Sequence, residues 1–203
     1  MTAIDHRRLQ HALTSPAAST RLQAALAAGT SPQPDFIPPL VAQCAHEPDF
    51  FVRDMLTWAL TRHDHAMVVE LVLPELRSTS PRTRSQALHT LTKIADPTTW
   101  RAITLDLLRD EDDEVARTAW RAAAGLYPEE EKPQLARVLA SQFGRGDREV
   151  RLSLSQAFAL LGPAAEEVVA RARHHPREVV RAHALATERI MADPEEGFHS
   201  AYW

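Results

Sequence analysis

The chain has 203 residues, of which 44% are hydrophobic and 25% are charged, and its formal net charge at pH 7 is -4. This composition is typical of a soluble globular protein rather than a disordered one, and the acidic balance disfavours a dedicated nucleic-acid binder. The single cysteine, Cys44, excludes an internal disulfide and a cysteine-rich zinc site.

Six segments of the sequence share one pattern and follow one another at a nearly constant interval. Five segments carry an arginine at the same place, and the fourth has Ala116 there. These repeat arginines are Arg21, Arg53, Arg84, Arg151 and Arg181. The steps between successive copies are 32, 31, 32, 35 and 30 residues. Chance would not keep such a period through six copies, so the sequence predicts a repeat protein.

Each segment predicts one helix, because small or apolar residues recur three, six, seven and ten places after the repeat arginine and form one stripe. In chain order these helices are STRLQAALAAG, FVRDMLTWALTRH, RTRSQALHTLTKIAD, EVARTAWRAAAGLYP, EVRLSLSQAFALLGP and VVRAHALATERIMADP. A second apolar-periodic stretch precedes each one. These stretches are IDHRRLQHAL, FIPPLVAQCA, AMVVELVLPEL, TTWRAITLDLL, KPQLARVLASQF and AAEEVVARAR. Pro74 should bend the third of them.

Each repeat is therefore predicted to be an antiparallel helix pair. Such pairs cannot bury their apolar faces alone and stack into a continuous core. We predict an all-α fold, an α-solenoid (superhelix) of about six repeats that forms a single domain over residues 1–193. Residues 194–203 form a C-terminal tail. Its aromatic side chains cap the last helix pair, bind another protein or remain disordered.

The pattern of valine-arginine, two residues, alanine, two residues and alanine-leucine resembles the HEAT repeat, particularly its short bacterial HEAT-like form. The resemblance covers nearly the whole chain and is specific for architecture. It implies that the second helix of each pair lines a concave surface. It also implies that the repeat arginines pair with carboxylates and carbonyls between repeats.

Candidate binding residues lie one and five places after the repeat arginine, where the 100° turn per residue directs side chains away from the core stripe. Trp120 is expected to flank the same surface. The predicted partner-binding residues of the concave face are Asp54, Trp58, His89, Arg117, Trp120, Arg121 and Gln156. Trp58 is either a binding anchor or partly core. Arg117 and Arg121 bind an anionic ligand, pair with acidic groups such as Glu114, or belong to a solvated surface.

Nothing in the sequence predicts a catalytic residue, a metal site or a cofactor. The stretch His63-Asp64-His65 offers too few ligands for a metal and is interpreted as a polar turn. Cys44 is interpreted as a small buried hydrophobic residue. No apolar run approaches the ~18 to 20 residues that cross a bilayer, and no signal peptide is evident, so we expect a cytoplasmic protein with no membrane partner.

Three functions are compatible with these features. The first is a non-catalytic protein–protein interaction scaffold that binds a partner protein or peptide along its concave surface. The second is a DNA-binding or DNA-repair protein similar to the HEAT-like-repeat alkylpurine DNA glycosylases, although the net charge of -4 disfavours a nucleic-acid partner. The third is a HEAT-like protein of the phycobilisome-lyase type. The resemblance alone motivates the second and third.

Overall fold

The computed structural model describes residues 5–193, and all regular structure in that range is helical. The α-helices are α1 His6–Leu13, α2 Ala18–Thr30, α3 Ile37–His46, α4 Phe50–Thr61, α5 His65–Val72, α6 Pro81–Ile94, α7 Leu105–Leu108, α8 Asp113–Leu126, α9 Lys132–Ala140, α10 Arg148–Leu161, α11 Pro163–Ala172 and α12 Glu178–Ala192. Short 3-10 turns lie at Pro34–Phe36, Leu73–Arg77, Pro97–Ala102 and Glu129–Glu131. Within the described range, no helix is long and apolar enough to cross a membrane. The predicted all-α fold is confirmed.

The chain divides into two compact units, residues 1–96 and 97–203. In the first unit α2, α4 and α6 pack side by side, with α1, α3 and α5 as the first helices of the pairs. In the second unit α8, α10 and α12 pack in the same way, with α7, α9 and α11 preceding them. That residues 1–193 behave as one domain stays a prediction. The predicted C-terminal tail lies outside the described residues.

The predicted core stripe is buried as expected. On α4, Val52, Leu56, Ala59 and Leu60 are each at most 1% exposed. The equivalent positions of α6 and α10 are also buried. Burying this stripe against the neighbouring helices supplies the hydrophobic stabilisation that a single helix pair lacks.

Side chains from the loops set where the second helices begin. Asp49, Ser80, Asp112 and Asp147 each occupy the N-cap and accept a hydrogen bond from a first-turn N–H group. Without such a cap these N–H groups would lack a partner. The caps fix the first turn of the helices that carry the candidate binding residues.

One predicted helix is absent. The stretch TTWRAITLDLL forms the 3-10 turn Pro97–Ala102 and then the four-residue helix α7. Its threonines and Ile103 are β-branched and disfavour a helix. Thr104 then accepts a hydrogen bond from the Leu107 N–H and begins a new helix instead of continuing the first. Pro74 also interrupts a helix, because α5 ends at Val72 and continues as a 3-10 turn.

The repeat arginines bind the loop directly before their own helix. Arg53 donates to the carbonyl oxygens of Glu47 at 3.0 Å and Pro48 at 2.8 Å. The other four bond carbonyls five or six residues earlier in the same way. The carbonyl partners therefore lie within a repeat, whereas the resemblance implied partners between repeats. The arginines hold each interhelical loop against the helix that follows it.

Arg21 makes an additional contact between repeats, a buried ion pair with Glu47. Its Nε and Nη2 atoms donate to the two carboxylate oxygens at 2.7 and 2.6 Å. The Gln43 amide and the Asp49 N–H complete the carboxylate's hydrogen bonds. Burial alone would raise the pKa of Glu47, but these hydrogen bonds outweigh it and hold the pKa below its ordinary value. Glu47 is therefore ionised and fully paired inside the first unit.

Candidate functional site

The exposed side of α4 carries the strongest candidate surface of the first unit. Asp54 is exposed and the Trp58 side chain is 38% exposed. His89 on α6 is half-buried and interacts with other residues of the chain. All three lie on second helices and none belongs to the core stripe.

Two further aromatic residues share the exposed arc of α4. Phe50 is 66% exposed and Phe51 is 72% exposed, and their rings meet edge to face with centroids 5.6 Å apart. With Arg53 at 0°, the 100° turn per residue puts Phe50, Phe51, Asp54 and Trp58 at about 60°, 160°, 100° and 140°. Neither phenylalanine is among the site residues predicted from the sequence, although the same 100° turn per residue would have placed both on this arc. We call Phe50, Phe51, Asp54 and Trp58 the α4 surface.

Gly29 on α2 positions the Trp58 ring. A Cβ atom at Gly29 would lie 2.4 Å from Cζ3 of Trp58 and 2.9 Å from Cα of Ala59. Only a residue without a side chain allows the indole to lie this close to the α2 backbone. The ring is thus fixed against α2 while much of its outer surface stays in solvent.

The Trp58 indole N–H has no hydrogen-bond partner among residues 5–193, whereas Trp120 donates its indole N–H to the carbonyl oxygen of Leu108 at 2.8 Å. Trp120 is 0% exposed. Its expected place at the edge of a binding surface is therefore corrected: its ring fills the interior of the second unit. The two tryptophans differ because α7 offers Trp120 both apolar cover and a free carbonyl at the end of a helix.

The candidate residues of the second unit play different parts. The Nε atom of Arg117 donates to Ser153 Oγ at 2.9 Å, and its guanidinium lies 3.5 Å from Glu114 and 3.7 Å from Glu149. Arg117 therefore links α8 to α10. Arg121 is exposed, and its side chain has no partner in the described part of the chain. Gln156 is half-buried on α10.

The residues considered as metal ligands do not converge. The His63 Nδ1 atom bonds the Ala59 carbonyl at 2.8 Å, and Asp64 caps α5 by accepting from the Met67 N–H. His65 bonds the Thr61 carbonyl instead. Over residues 5–193 no group of three potential ligands is arranged to hold a metal ion. Each of these three side chains thus serves a helix end.

Cys44 is a buried thiol rather than an exposed nucleophile. Its side chain lies beside Thr57, with 3.9 Å between Sγ and Oγ1, and the residue is 4% exposed. Burial raises the pKa of the Cys44 thiol to about 11. The thiolate is therefore scarce at neutral pH.

Comparison with known protein families supports the helical-repeat architecture described above. A family model described as HEAT repeats matches residues 69–145. That segment is similar to HEAT repeats, and the fold of the described residues is all-α. A search of curated proteins finds no significant match.

Solved structures share the fold across nearly the whole chain. A karyopherin, Kap121p, bound to the extreme C-terminus of the protein phosphatase Cdc14p, is 15% identical with a TM-score of 0.64 over 97% of this chain and 24% of the karyopherin. The CpcE–CpcF phycocyanin lyase complex from a Nostoc species is 17% identical with a TM-score of 0.53, over 98% of this chain and 82% of that one. Human deoxyhypusine hydroxylase is 17% identical with a TM-score of 0.50, over 93% and 85%. At these identities the likeness concerns the fold.

Proposed function

We propose that this protein is a non-catalytic interaction scaffold that binds a segment of a partner protein through the exposed sides of its second helices. The observation that carries the proposal is the α4 surface, where three aromatic side chains and a carboxylate stand in solvent on one helical arc. Isolated exposed apolar residues are ordinary on a protein surface. A clustered aromatic set is more typical of an interaction site.

Trp58 is the proposed anchor. Its ring cannot move toward α2, because Gly29 already lies against it. An anchor that is fixed before binding loses little conformational entropy when the partner arrives. Its indole N–H is available to donate one hydrogen bond to a partner carbonyl. Tryptophan with these properties is the residue type most enriched at binding hot spots.

The polar residues suggest what the partner carries. Asp54 lies between the aromatic side chains of the α4 surface and would accept a hydrogen bond from a basic or N–H group. In the second unit, Arg121 has an unpaired guanidinium suited to a carboxylate. The partner segment is therefore expected to combine apolar side chains with charges of both signs.

The comparisons support this proposal at the level of the fold. A karyopherin with the same architecture is known bound to the terminal segment of another protein. A related architecture also occurs in a phycocyanin lyase. The DNA-repair and bilin-lyase alternatives stay predictions, since no described residue favours either of them.

Site-specific photo-crosslinking tests the proposal. A photoreactive phenylalanine analogue placed at Phe51, which is exposed on the α4 surface and leaves Trp58 intact, should crosslink a partner protein in the native cell. The same analogue at Glu70, which is exposed on α5, is the matched control. Crosslinked partners are identified by mass spectrometry and then tested as purified proteins.

The purified partner should bind the Trp58→Ala variant about 30-fold or more weakly than the wild-type protein, equivalent to about 2 kcal/mol. Arg121→Glu should weaken a partner that also contacts the second unit. Equal crosslinking from positions 51 and 70, or equal affinity for Trp58→Ala and wild type, would contradict the proposed surface.

A further inference from the structure

A second candidate ligand site lies in the second unit, away from the exposed sides of the second helices. It is a cleft of about 420 Å³ between α9, α11 and the start of α12. Its lining residues are Arg137, Ala140, Ser141, Phe143, Val168, Arg171, Ala172, His175, Arg177 and Val180. We propose that this cleft binds a phosphoryl group carried on a small apolar body. The proposal is independent of the proposed function, because the two sites share no residue.

The rim of the cleft is basic. Arg137, Arg171 and Arg177 contribute three guanidinium groups, and His175 adds an imidazole. No acidic residue lines the cleft. This local balance contrasts with the net charge of -4 for the chain. A cleft lined by one sign of charge concentrates ligands of the opposite sign.

The rim arginines can change partners at little cost. Arg177 has no side-chain partner within the described range, and Arg137 bonds only the neutral amide of Gln134 at 3.2 Å. Arg171 pairs with Glu167 at 2.7 Å, but the two side chains are 76% and 81% exposed. An ion pair this exposed contributes little to stability. Each guanidinium is therefore free to turn toward an anion.

The floor of the cleft is apolar and rigid. Phe143 is 4% exposed and stacks on Phe158, with ring centroids 4.9 Å apart and the planes inclined by 5°. The edge of His183 packs against the same ring at 5.0 Å. Val180 is 5% exposed beside it. An apolar floor under a charged rim matches a ligand that has an apolar body and one anionic end.

A phosphoryl group fits the rim better than a single carboxylate does. Guanidinium groups bind phosphate oxygens through pairs of parallel hydrogen bonds, and a dianion balances more of the positive charge of three arginines. Arg177 is also the N-cap of α12 and makes no side-chain capping bond, so first-turn N–H groups of that helix add to the positive potential. The cleft volume falls in the range of small-molecule sites.

Calorimetric titration with phenyl phosphate tests the proposal on the full chain. We expect binding with a Kd on the order of 1 mM or tighter. Phenol and inorganic phosphate, which each supply half of the ligand, should bind at least about tenfold more weakly. The double variant Arg171→Gln/Arg177→Gln should lose about tenfold or more in affinity. Arg109→Gln removes an exposed arginine outside the cleft and should bind like wild type.

Several results would overturn the proposal: no phenyl phosphate binding, unchanged affinity in the double variant, or phenol or phosphate binding as tightly as phenyl phosphate. Thermal melting of each variant separates lost binding from lost folding. A phosphotyrosine peptide distinguishes the two sources of the ligand. If the peptide binds more tightly than phenyl phosphate, the site belongs to a phosphorylated partner. If it binds more weakly, the ligand is a free small molecule. Trp58→Ala should bind phenyl phosphate normally, so the two proposals fail separately.

Discussion

Arg145 supplies the guanidinium that the fourth repeat lacks at Ala116. Its Nη2 atom donates to the carbonyl oxygens of Asp110 at 2.5 Å and Glu111 at 3.2 Å. These carbonyls lie six and five residues before Ala116, the positions that the repeat arginines bind in their own loops. The Nε atom of Arg145 also bonds Asp113 at 2.8 Å, and its guanidinium lies over the Trp120 ring. The loop of the fourth repeat is thus held by an arginine of the fifth.

Replacing Arg145 with alanine should therefore destabilise the second unit. The Asp110 and Glu111 carbonyls would lose their donor and the Asp113 carboxylate would lose its partner. We expect a loss of about 1–3 kcal/mol in the free energy of unfolding, measured by urea denaturation. Arg109→Ala is the matched control, because that side chain is exposed and makes no interaction within the described residues.

A second substitution tests whether Arg145 replaces the missing repeat arginine. Adding Ala116→Arg to the Arg145→Ala variant should restore part of the lost stability, since the new side chain starts from the position that the other repeats use. The same Ala116→Arg change in the wild-type protein should be neutral or destabilising, because Arg145 already occupies the carbonyls. Failure of the double variant to recover would show that Arg145 acts by another contact.

The two tryptophans of the candidate set should respond in opposite ways to truncation. Trp120→Ala removes a fully buried ring and its hydrogen bond to Leu108, so it should cost about 3–5 kcal/mol of folding free energy. Trp58→Ala leaves the core stripe intact and should cost far less stability while weakening partner binding. Urea denaturation and partner affinity, measured on both variants, check this contrast. Similar stability losses for the two would place Trp58 in the core.

The contrast also shows how far a helical stripe can be predicted from sequence. The 100° turn per residue predicts burial well near the middle of the buried or exposed arc of a helix. Leu56 is buried and Asp54 is exposed, as this rule predicts. Trp120 stands at the edge of the core arc, next to the exposed Arg121. Its burial depends on the Leu108 carbonyl, and that carbonyl is free because α7 ends at Leu108. The helical period of the sequence does not encode this contact.

Contacts between distant segments could not be predicted from the sequence either. The period predicted the helix pairs, the core stripe and the row of repeat arginines, because each repeats a local pattern. Arg145 reaches back 34 and 35 residues to its carbonyl partners, and Gly29 meets Trp58 in the next repeat. The basic cleft combines residues of three helices and two loops. Such features depend on packing and show no spacing signal.

Gly29→Ala should disturb the packing of the Trp58 ring against α2. The added methyl group would overlap the indole ring and press on the Ala59 backbone, so either the ring moves or α2 separates from α4. We expect a loss of about 1–3 kcal/mol in unfolding free energy together with weaker partner binding. In the Trp58→Ala background the same change should cost less, because only the backbone contact remains. An equal cost in both backgrounds would show that the ring is not held by Gly29.

His183 joins the last two repeats through both ring nitrogens. The Gly144 N–H donates to Nδ1 at 3.0 Å, and Nε2 donates to the Arg151 carbonyl at 3.0 Å. The side chain is 2% exposed. Burial lowers the pKa of His183 to about 4, although the bond to the Arg151 carbonyl partly opposes this shift. Protonation would also place a hydrogen on Nδ1 and break the bond that this atom accepts from the Gly144 N–H.

Stability of the second unit should therefore fall under mildly acidic conditions. An unfolded histidine binds a proton below its ordinary pKa of about 6.5, whereas the folded one stays neutral until about pH 4. The unfolded state thus gains protons first, and stability present above pH 6.5 is lost progressively as the pH falls toward 4. We expect about 2 kcal/mol less unfolding free energy at pH 5 than at pH 7 from this group. The His183→Gln variant keeps a donor and an acceptor but does not titrate. Urea denaturation should therefore show a flatter pH dependence of the unfolding free energy for the variant than for wild type. Parallel curves would show that His183 is not the group responsible.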